Sequence, residues 1–317
     1  MTIIRARKLG FCSGVRQAVD LAYKEAARQG AVYTLGPLIH NPQVLDELKR
    51  RGVEILDERL PEDLSGATVI IRAHGVGPQT EAELRRRGAT VVDATCPNVK
   101  SSQLKAAAFA KAGYRLFLAG EERHAEITGI RGYYEANVPV NAQNETAGTP
   151  RLTAAFCAVV CCAAQAEEAA AKLHAGEAFS GNDGPLEAKT ALIGQTTISA
   201  EEYREIGDAI TRFFPGLEIA GTICAATRER QDSLREITGK ADAIIIVGGK
   251  KSANSCRLLA IAETSGKPCA LVETAGDFPP EFLKLNSVGL VSGASTPDTV
   301  IDEIEQTILS LANSQYI

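Results

Sequence analysis

The 317-residue sequence lacks tryptophan, has methionine only at Met1 and draws 5% of its residues from the aromatic types. Its core must therefore be built from alanine, valine, isoleucine and leucine. It also lacks an excess of positive charge, because 34 Lys and Arg oppose 39 Asp and Glu, a formal net charge of −5. That balance disfavours a nucleic-acid scaffold, so no nucleic-acid partner is expected. The apolar fraction of 45% excludes a wholly disordered chain.

Long apolar runs are absent as well. Charge at Arg5 breaks the first apolar stretch after Ile4, so the N-terminus lacks the apolar region of a secretory signal. The most apolar segment, 152–164, has 13 residues, short of the ~18–20 that span a bilayer. We therefore expect a cytoplasmic protein without a membrane partner. In that reducing compartment cysteines bind metal or do chemistry more often than they form disulfides.

Short β-branched runs alternate with segments of helical period. Strand-like runs include 90–92, 243–247 and 288–291. This alternation predicts an α/β fold with parallel sheets that helices cover on both faces. The apolar positions of the two clearest helical faces are Val15, Ala18, Val19, Ala22 and Ala26, and Val300, Ile301, Ile304, Ile308 and Leu311.

Two polar, turn-rich stretches interrupt the alternation. Residues 141–150 and 176–187 are predicted to be surface loops. An Ala/Cys-rich segment of uncertain type lies between them. The region 141–187 is therefore predicted to be an insertion, and nothing in its sequence indicates a function.

Three of the eight cysteines occupy matching positions. Cys12, Cys96 and Cys224 each follow a predicted strand and open a predicted helix. The positive end of a helix dipole favours the thiolate, which binds metal, and open α/β sheets bind ligands at the carboxyl ends of their strands. Three such thiolates suit an iron–sulfur cluster whose fourth iron is left open for substrate. The alternative is that each cysteine is a small buried hydrophobe.

These junctions also bear on domain organisation. Length alone suggests about two domains, whereas three matching junctions indicate three related α/β units. We place the units at 1–96, 97–222 and 223–317, with the insertion enlarging the second.

No C-x-x-C pair occurs, which disfavours a zinc knuckle or a ferredoxin-type run. The remaining cysteines have mostly apolar neighbours and are predicted to be core residues: Cys157, Cys161, Cys162, Cys256 and Cys269.

Polar residues gather at other predicted strand-to-helix junctions. Helix N-termini hold unpaired N–H groups that attract phosphate, so these residues together predict a pocket for a small phosphorylated ligand, without a Walker or dinucleotide glycine motif. Each of the hydroxyl and amide residues among them is, taken alone, also an ordinary helix N-cap. Glu126 would be the acid in that pocket, or simply a first-turn glutamate that favours the helix dipole. The junction residues are His40, His74, His124, Thr196, Ser252, Asn254 and Ser295.

Ordered motifs from residue 10 to residue 298 resemble those of the 4-hydroxy-3-methylbut-2-enyl diphosphate reductases. The joint occurrence and the order of the motifs are highly specific. Two positions depart from the pattern, because Ala125 stands where the family often has proline and Ala253 where many members have serine. The motifs are Gly10-Phe11-Cys12-Ser13-Gly14-Val15, His40-Asn41, Ala73-His74-Gly75-Val76, Asp93-Ala94-Thr95-Cys96-Pro97, His124-x-Glu126, Gln195-Thr196-Thr197, Cys224-x-Ala226-Thr227-x-x-Arg230-Gln231, Ser252-x-Asn254-Ser255-x-Arg257-Leu258 and Gly293-Ala294-Ser295-x-Pro297-Asp298.

The resemblance implies a trefoil of three α/β units around a [4Fe-4S] cluster held by Cys12, Cys96 and Cys224. It implies reductive dehydroxylation of the allylic diphosphate to isopentenyl and dimethylallyl diphosphate, the last step of the methylerythritol phosphate pathway of isoprene biosynthesis. Two electrons would come from an external donor such as ferredoxin or flavodoxin.

The resemblance also implies roles for the junction residues. Glu126 would supply the proton, and Thr196 and His124 would organise its delivery. The residues implied to bind the substrate are His40, His74, His124, Thr196, Ser252, Asn254 and Ser295. Two other classes stay open on the sequence: a hydro-lyase that uses an open iron without consuming electrons, and a non-catalytic metal or redox-sensing module.

Overall fold

The structure, a computed structural model, describes residues 1–57, 59–139, 156–178 and 189–314. The described strands are β1 (Thr2–Arg5), β2 (Val32–Leu35), β3 (Val53–Leu56), β4 (Thr68–Ile71), β5 (Thr90–Asp93), β6 (Arg115–Ala119), β7 (Cys157–Val160), β8 (Thr190–Gly194), β9 (Glu218–Ile219), β10 (Ala243–Val247), β11 (Cys269–Val272) and β12 (Ser287–Ser292). The described α-helices are α1 (Ser13–Ala26), α2 (Pro42–Arg50), α3 (Pro78–Arg86), α4 (Pro97–Lys111), α5 (Ala125–Glu135), α6 (Ala163–Ala178), α7 (Ala200–Thr211), α8 (Ala225–Thr238), α9 (Ala253–Glu263) and α10 (Asp298–Ser314).

The chain divides into two compact units. The first unit comprises Met1–Glu58 and Cys224–Ile317, and the second comprises Arg59–Ile223. A parallel sheet of order β1-β12-β10-β11 lies in the first unit, where β2 also pairs in parallel with β3. The second unit contains a parallel sheet of order β7-β6-β8-β9 and the parallel pair β4-β5. The division into three units at the cysteine junctions stays a prediction.

The central strand of the first unit is buried along its whole length. In β10, Ile245 packs with Ile304 of α10 on one face of the sheet. Ile244 packs with Leu234 of α8 and Leu258 of α9 on the other. Alternation along the strand thus sends successive isoleucines into two cores, and each buried isoleucine contributes about 1.5–3 kcal/mol.

The sheet of the second unit is covered in the same way. Phe117 of β6 packs with Ile206 of α7 on one face, whereas Leu118 packs with Ile130 of α5 on the other. The predicted α/β class, with small parallel sheets covered on both faces, is therefore confirmed. The strand-like runs 90–92, 243–247 and 288–291 lie within β5, β10 and β12.

The prediction that Leu311 lies on the buried face of its helix is wrong. Leu311 of α10 is 43% exposed. The buried face of this helix continues instead from Ile304 and Ile308 to Ala312, which is 5% exposed. A spacing of four keeps these three side chains in one row, and Leu311 falls outside it.

The assignment of five cysteines to the core is wrong for three of them. Cys161, Cys162 and Cys256 are exposed, whereas Cys157 and Cys269 are half-buried. Cys161 and Cys162 lie in the turn between β7 and α6, beyond the apolar strand. The half-buried pair begin the edge strands β7 and β11, where a side chain is covered on fewer sides.

The predicted insertion is described only in part. The loop predicted at 141–150 and most of the one at 176–187 lie outside the described residues. The Ala/Cys-rich segment between them supplies β7 and the start of α6. No helix in the described part of the chain is both long and apolar enough to cross a lipid bilayer.

Candidate functional site

The three cysteines of the matching junctions all occupy helix N-cap positions. Cys12 precedes α1, Cys96 precedes α4 and Cys224 precedes α8. All three are half-buried, and no disulfide forms among the chain's eight cysteines, all of which are described. The Sγ of Cys12 accepts the N–H of Val15 at 3.5 Å. Pro97 opens α4 at a position that needs no N–H donor.

A buried arginine lies beside two of these cysteines in the first unit. Arg230 of α8 is 3% exposed, and its Nη2 donates to the carbonyl oxygen of Gly10 at 2.6 Å. Its Nη1 donates to the carbonyl oxygen of Ala226 at 3.1 Å. Burial lowers the pKa of Arg230, while the Cys12 and Cys224 thiols act in the opposite direction. One guanidinium therefore ties the loop before Cys12 to the first turn after Cys224.

The Cys12 loop is also anchored on the end of β12. The N–H of Gly10 donates to Ser292 Oγ at 2.9 Å, and the N–H of Cys12 donates to the carbonyl oxygen of Ala294 at 3.0 Å. Gly10 has φ +73°, a left-handed conformation that favours glycine. A Cβ at this position would overlap the carboxylate of Asp298. Hydrogen bonds of the loop's own backbone groups therefore hold the loop around Cys12.

Buried polar groups line two neighbouring junctions of the first unit. Ser252 caps α9 by accepting the N–H of Ser255 at 3.4 Å. Asn254 Nδ2, Ser255 Oγ and Ser295 Oγ are buried and have no hydrogen-bond partner within the described residues. Buried donors left without a protein partner are costly, so this set fits an anionic group that would accept from them.

His40 lies on a loop that contacts one of these junctions. A Cβ added at Gly249 would overlap the carbonyl oxygen of His40, so the His40 loop and the turn before Ser252 are in contact. Asn41 then caps α2 by accepting the N–H of Val44 at 3.0 Å, and Pro42 is the first residue of that helix. The predicted junction at His40 is confirmed as the start of a helix.

The second unit contains a buried carboxyl group that neighbouring polar residues contact. Glu126, in the first turn of α5, is 2% exposed. Thr196 donates to it twice, from its N–H to Oε1 at 2.7 Å and from its hydroxyl to Oε2 at 2.9 Å. Burial raises the pKa of Glu126 to about 7, although both Thr196 donors lower it. The group can therefore carry or release a proton near neutrality.

Two histidines accompany this carboxyl group. His124 caps α5, and its Nδ1 accepts the N–H of Glu126 at 3.2 Å. An accepting Nδ1 leaves the other ring nitrogen, Nε2, to carry the proton. The ring of His74 meets the His124 ring edge-on, with 5.2 Å between the centroids. His74, His124, Glu126 and Thr196 thus form one cluster in this unit.

Gln195 holds the turn that presents Thr196. Its Oε1 accepts the N–H of Glu121 at 3.0 Å, and its Nε2 donates to Thr197 Oγ1 at 3.0 Å. It is 1% exposed and lies directly against Gly120, where a Cβ would overlap it. The turn after β8 is therefore locked to the turn after β6.

Sequence reasoning placed the site residues better than the residues that support them. The three cysteines, His124 and Ser252 are helix N-caps, as the predicted junctions require. The other predicted site residues outside a helix lie in turns two to four residues before the next helix: His40, His74, Thr196 and Ser295. Arg230 and Gln195 belong to the sequence motifs, but the sequence alone does not indicate what either side chain contacts. Both are large polar residues in segments whose helical or strand pattern predicts burial. A buried polar side chain of that size needs hydrogen-bond partners, and this need is the signal that marks such a residue as a supporting one.

The chain matches the family model described as LytB protein over residues 3–309. A curated relative from Treponema pallidum subsp. pallidum, named 4-hydroxy-3-methylbut-2-enyl diphosphate reductase, is 41% identical over 326 residues. That alignment covers 96% of this chain and 83% of the relative.

Two solved structures are similar across nearly the whole chain. The E-1-hydroxy-2-methyl-but-2-enyl-4-diphosphate reductase from Plasmodium falciparum is 24% identical with a TM-score of 0.81, covering 96% of this chain and 87% of that one. A second structure, of (E)-4-hydroxy-3-methyl-but-2-enyl diphosphate reductase, the terminal enzyme of the non-mevalonate pathway, is 34% identical with a TM-score of 0.64. It covers 98% of this chain and 100% of its own. The chain shares the fold of these proteins.

Proposed function

The chain belongs to the LytB protein family, and we propose that it is an oxidoreductase with the activity for which its curated relatives are named. The reaction converts 4-hydroxy-3-methylbut-2-enyl diphosphate, two electrons and two protons into isopentenyl or dimethylallyl diphosphate and water. One C–O bond breaks and one C–H bond forms. The observation that carries this proposal is the buried Glu126, whose pKa near 7 suits a proton donor at neutral pH.

The donor set fits an iron–sulfur cofactor. Cys12, Cys96 and Cys224 are cysteines without disulfides at helix N-caps, and thiolates are the usual protein ligands of such clusters. We propose that these three would hold a [4Fe-4S] cluster. When bound, the cluster supplies a Lewis-acidic iron for the allylic hydroxyl and a path for two electrons. Arg230 would stabilise the added negative charge of two thiolate ligands.

The protein's own residues would manage the proton. Thr196 holds both oxygens of Glu126, which fixes the direction of the carboxyl group. Because the group is buried, a proton on it exchanges only with what enters the pocket. His124, bonded to the N–H of Glu126, would orient the start of α5 and offer its Nε2–H to the substrate. Glu126 would thus protonate the carbon or the departing hydroxyl oxygen.

The diphosphate would bind away from the reacting carbon. In the first unit, Ser252, Asn254 and Ser295 offer buried donors, and we propose that His40 joins them. In the second unit, we assign His74, with His124 and Thr196, to substrate binding. The contacts to the diphosphate would hold the allylic end of the substrate in place. Because they lie away from the reacting carbon, they would not stabilise the ground state of the reacting atoms themselves.

Electrons would come from an external carrier of the ferredoxin or flavodoxin type, and we propose a cytoplasmic location because exposed thiols persist in a reducing compartment. The functional test is an anaerobic assay of the cluster-loaded protein with dithionite-reduced methyl viologen. We expect two moles of viologen oxidised per mole of product. Turnover without net oxidation of viologen would overturn the proposal in favour of the hydro-lyase class.

The variant Glu126→Gln separates catalysis from cofactor binding. We expect it to keep the cluster's absorbance and to lose about 10²-fold or more of the turnover, the typical contribution of a general acid. Full turnover in this variant would remove Glu126 from the mechanism. A protein that binds iron and sulfide but turns over no allylic diphosphate in any form would instead be a metal or redox-sensing module.

A further inference from the structure

The outward face of α4 carries an apolar side chain among lysines. Leu104 is 57% exposed, the largest exposed fraction among the large hydrophobic residues of the described chain. A shallow groove of about 610 Å³ surrounds it on the surface of the second unit. Residues at helical spacing form its floor and sides: Pro97, Lys100, Ser101, Leu104, Lys105 and Ala108.

This helix differs in charge from the chain to which it belongs. Its sequence contains Lys100, Lys105 and Lys111 and no aspartate or glutamate, whereas the whole chain has a net charge of −5. Asp93 pairs with Lys100 at 3.0 Å. Lys105 donates to the carbonyl oxygen of Gly221 at 3.3 Å, and no carboxylate of the described residues pairs with Lys105 or Lys111. The groove therefore carries one lysine, Lys105, whose charge no described carboxylate neutralises, on a helix without acidic residues.

The same helix begins at a proposed cluster ligand. Cys96 is the N-cap of α4, and eight residues at 1.5 Å each place Leu104 about 12 Å along the helix from it. The backbone of α4 thus joins the groove directly to the proposed iron site. A redox protein seated here would need no long path through the fold to deliver electrons.

We propose that the groove around Leu104 is the docking surface for an acidic one-electron carrier protein. The proposal rests on the proposed function, which requires two single-electron deliveries per turnover. Charge complementarity selects this face, because an acidic carrier is repelled by the net charge of the chain and attracted by Lys105, whose charge no described carboxylate neutralises, on a helix without acidic residues. Leu104 would fill an apolar spot on the carrier, and the lysines around it would set the orientation and the association rate.

The test compares two electron donors with the cluster-loaded enzyme. One donor is an acidic plant-type [2Fe-2S] ferredoxin, and the other is dithionite-reduced methyl viologen, which needs no docking surface. We expect Leu104→Glu and Lys105→Glu each to raise the ferredoxin concentration for half-maximal rate about fivefold or more at low salt. Viologen-driven turnover should stay within twofold of the unsubstituted enzyme. The Lys105→Glu effect should shrink in 0.5 M salt, about a 4 Å screening length.

Matched controls lie on other helices. Leu311→Glu introduces the same charge at a 43% exposed leucine of α10, and Lys24→Glu reverses an exposed lysine of α1. Both should leave the ferredoxin dependence unchanged. Equal ferredoxin dependence in all four variants would overturn the docking assignment. An equal loss of turnover with ferredoxin and with viologen in the Leu104 and Lys105 variants would also overturn it, because that result indicates damage to the cluster. Absence of viologen-driven turnover in the unsubstituted enzyme would instead overturn the proposed function.

Discussion

Thr196 donates to both oxygens of the Glu126 carboxylate, at 2.7 Å from its N–H and 2.9 Å from its hydroxyl. Such paired donors normally lower a carboxyl pKa. Burial outweighs them here and raises the pKa to about 7. Thr196 therefore fixes the position of the Glu126 carboxyl group, and burial keeps a proton on it up to about neutral pH.

The first prediction concerns stability as a function of pH. Glu126 has a pKa of about 7 folded against 4.5 for the ordinary group, so the folded state binds more protons between these values. Its contribution is fully present below about pH 4.5 and is lost as pH rises through about 7, a loss of about 3 kcal/mol. We expect Glu126→Gln to remove this dependence. Urea unfolding of both proteins at pH 5, 6, 7 and 8 measures it, and a constant difference between them would contradict the assignment.

The second prediction concerns Thr196→Val, which removes the hydroxyl and keeps the N–H. The charged form of Glu126 then loses one donor, so its pKa should rise further. We expect the decline of turnover with rising pH to move to higher pH. The variant should lose about 1–3 kcal/mol of stability at pH 8 and less at pH 6, where the carboxyl is protonated. Thr128→Val removes an exposed hydroxyl that donates to the carbonyl oxygen of His124, and its pH profile should not move.

The third prediction separates binding from folding at the first unit's buried donors. Asn254 Nδ2 and Ser295 Oγ have no partner within the described residues, so Asn254→Ala and Ser295→Ala should leave stability within about 0.5 kcal/mol. Each should weaken diphosphate binding by about 0.5–1.5 kcal/mol, roughly two- to tenfold. Calorimetric titration with inorganic diphosphate gives the affinity.

A serine with the opposite role provides the control for that experiment. Ser199 forms a capping box with Glu202 at the start of α7. Ser199→Ala should therefore lose about 0.5–2 kcal/mol of stability and bind diphosphate normally. The reverse pattern, with Asn254→Ala destabilised and its affinity unchanged, would make Asn254 a structural residue.

Much of the fold could be predicted from the sequence because the strands are continuous apolar runs. Ala243–Val247 is buried on both faces, and such runs have few alternatives to a parallel sheet. The N-cap positions of Cys12 and His124 followed from the same alternation. Helix starts are local features, which short segments of sequence determine.

The rest depends on contacts between distant residues. Arg230 reaches the carbonyl oxygen of Gly10 across 220 positions of sequence, and no local pattern indicates that partner. The exposure of Cys161 has a related cause: its apolar neighbours in sequence predict burial, but the strand ends at Val160. The position of a turn at a sheet edge, rather than composition, decides exposure there.

The fourth prediction concerns Arg230. Arg230→Met leaves the carbonyl oxygen of Gly10 without the donor that Arg230 supplies, at about 1–3 kcal/mol. We expect a clear loss of unfolding free energy, and a more negative reduction potential of the cluster because a buried cation is gone. Arg230→Lys should restore part of the potential, since it keeps the charge. Exposed Arg228→Gln is the control, and an unchanged potential in Arg230→Met would limit Arg230 to a structural role.

The fifth prediction tests the division of the cysteines. Cys224 caps α8 beside Arg230, whereas Cys161 is exposed in the turn after β7. If Cys12, Cys96 and Cys224 are the ligands, Cys224→Ala leaves only two thiolates for four irons and should abolish stable cluster assembly. Cys161→Ala and Cys256→Ala should retain iron and sulfide at the level of the unsubstituted protein. Iron and acid-labile sulfide analysis after anaerobic purification measures this directly. Equal iron content in Cys224→Ala and Cys161→Ala would refute the ligand assignment, because the half-buried thiol at a helix N-cap would then bind iron no better than the exposed one.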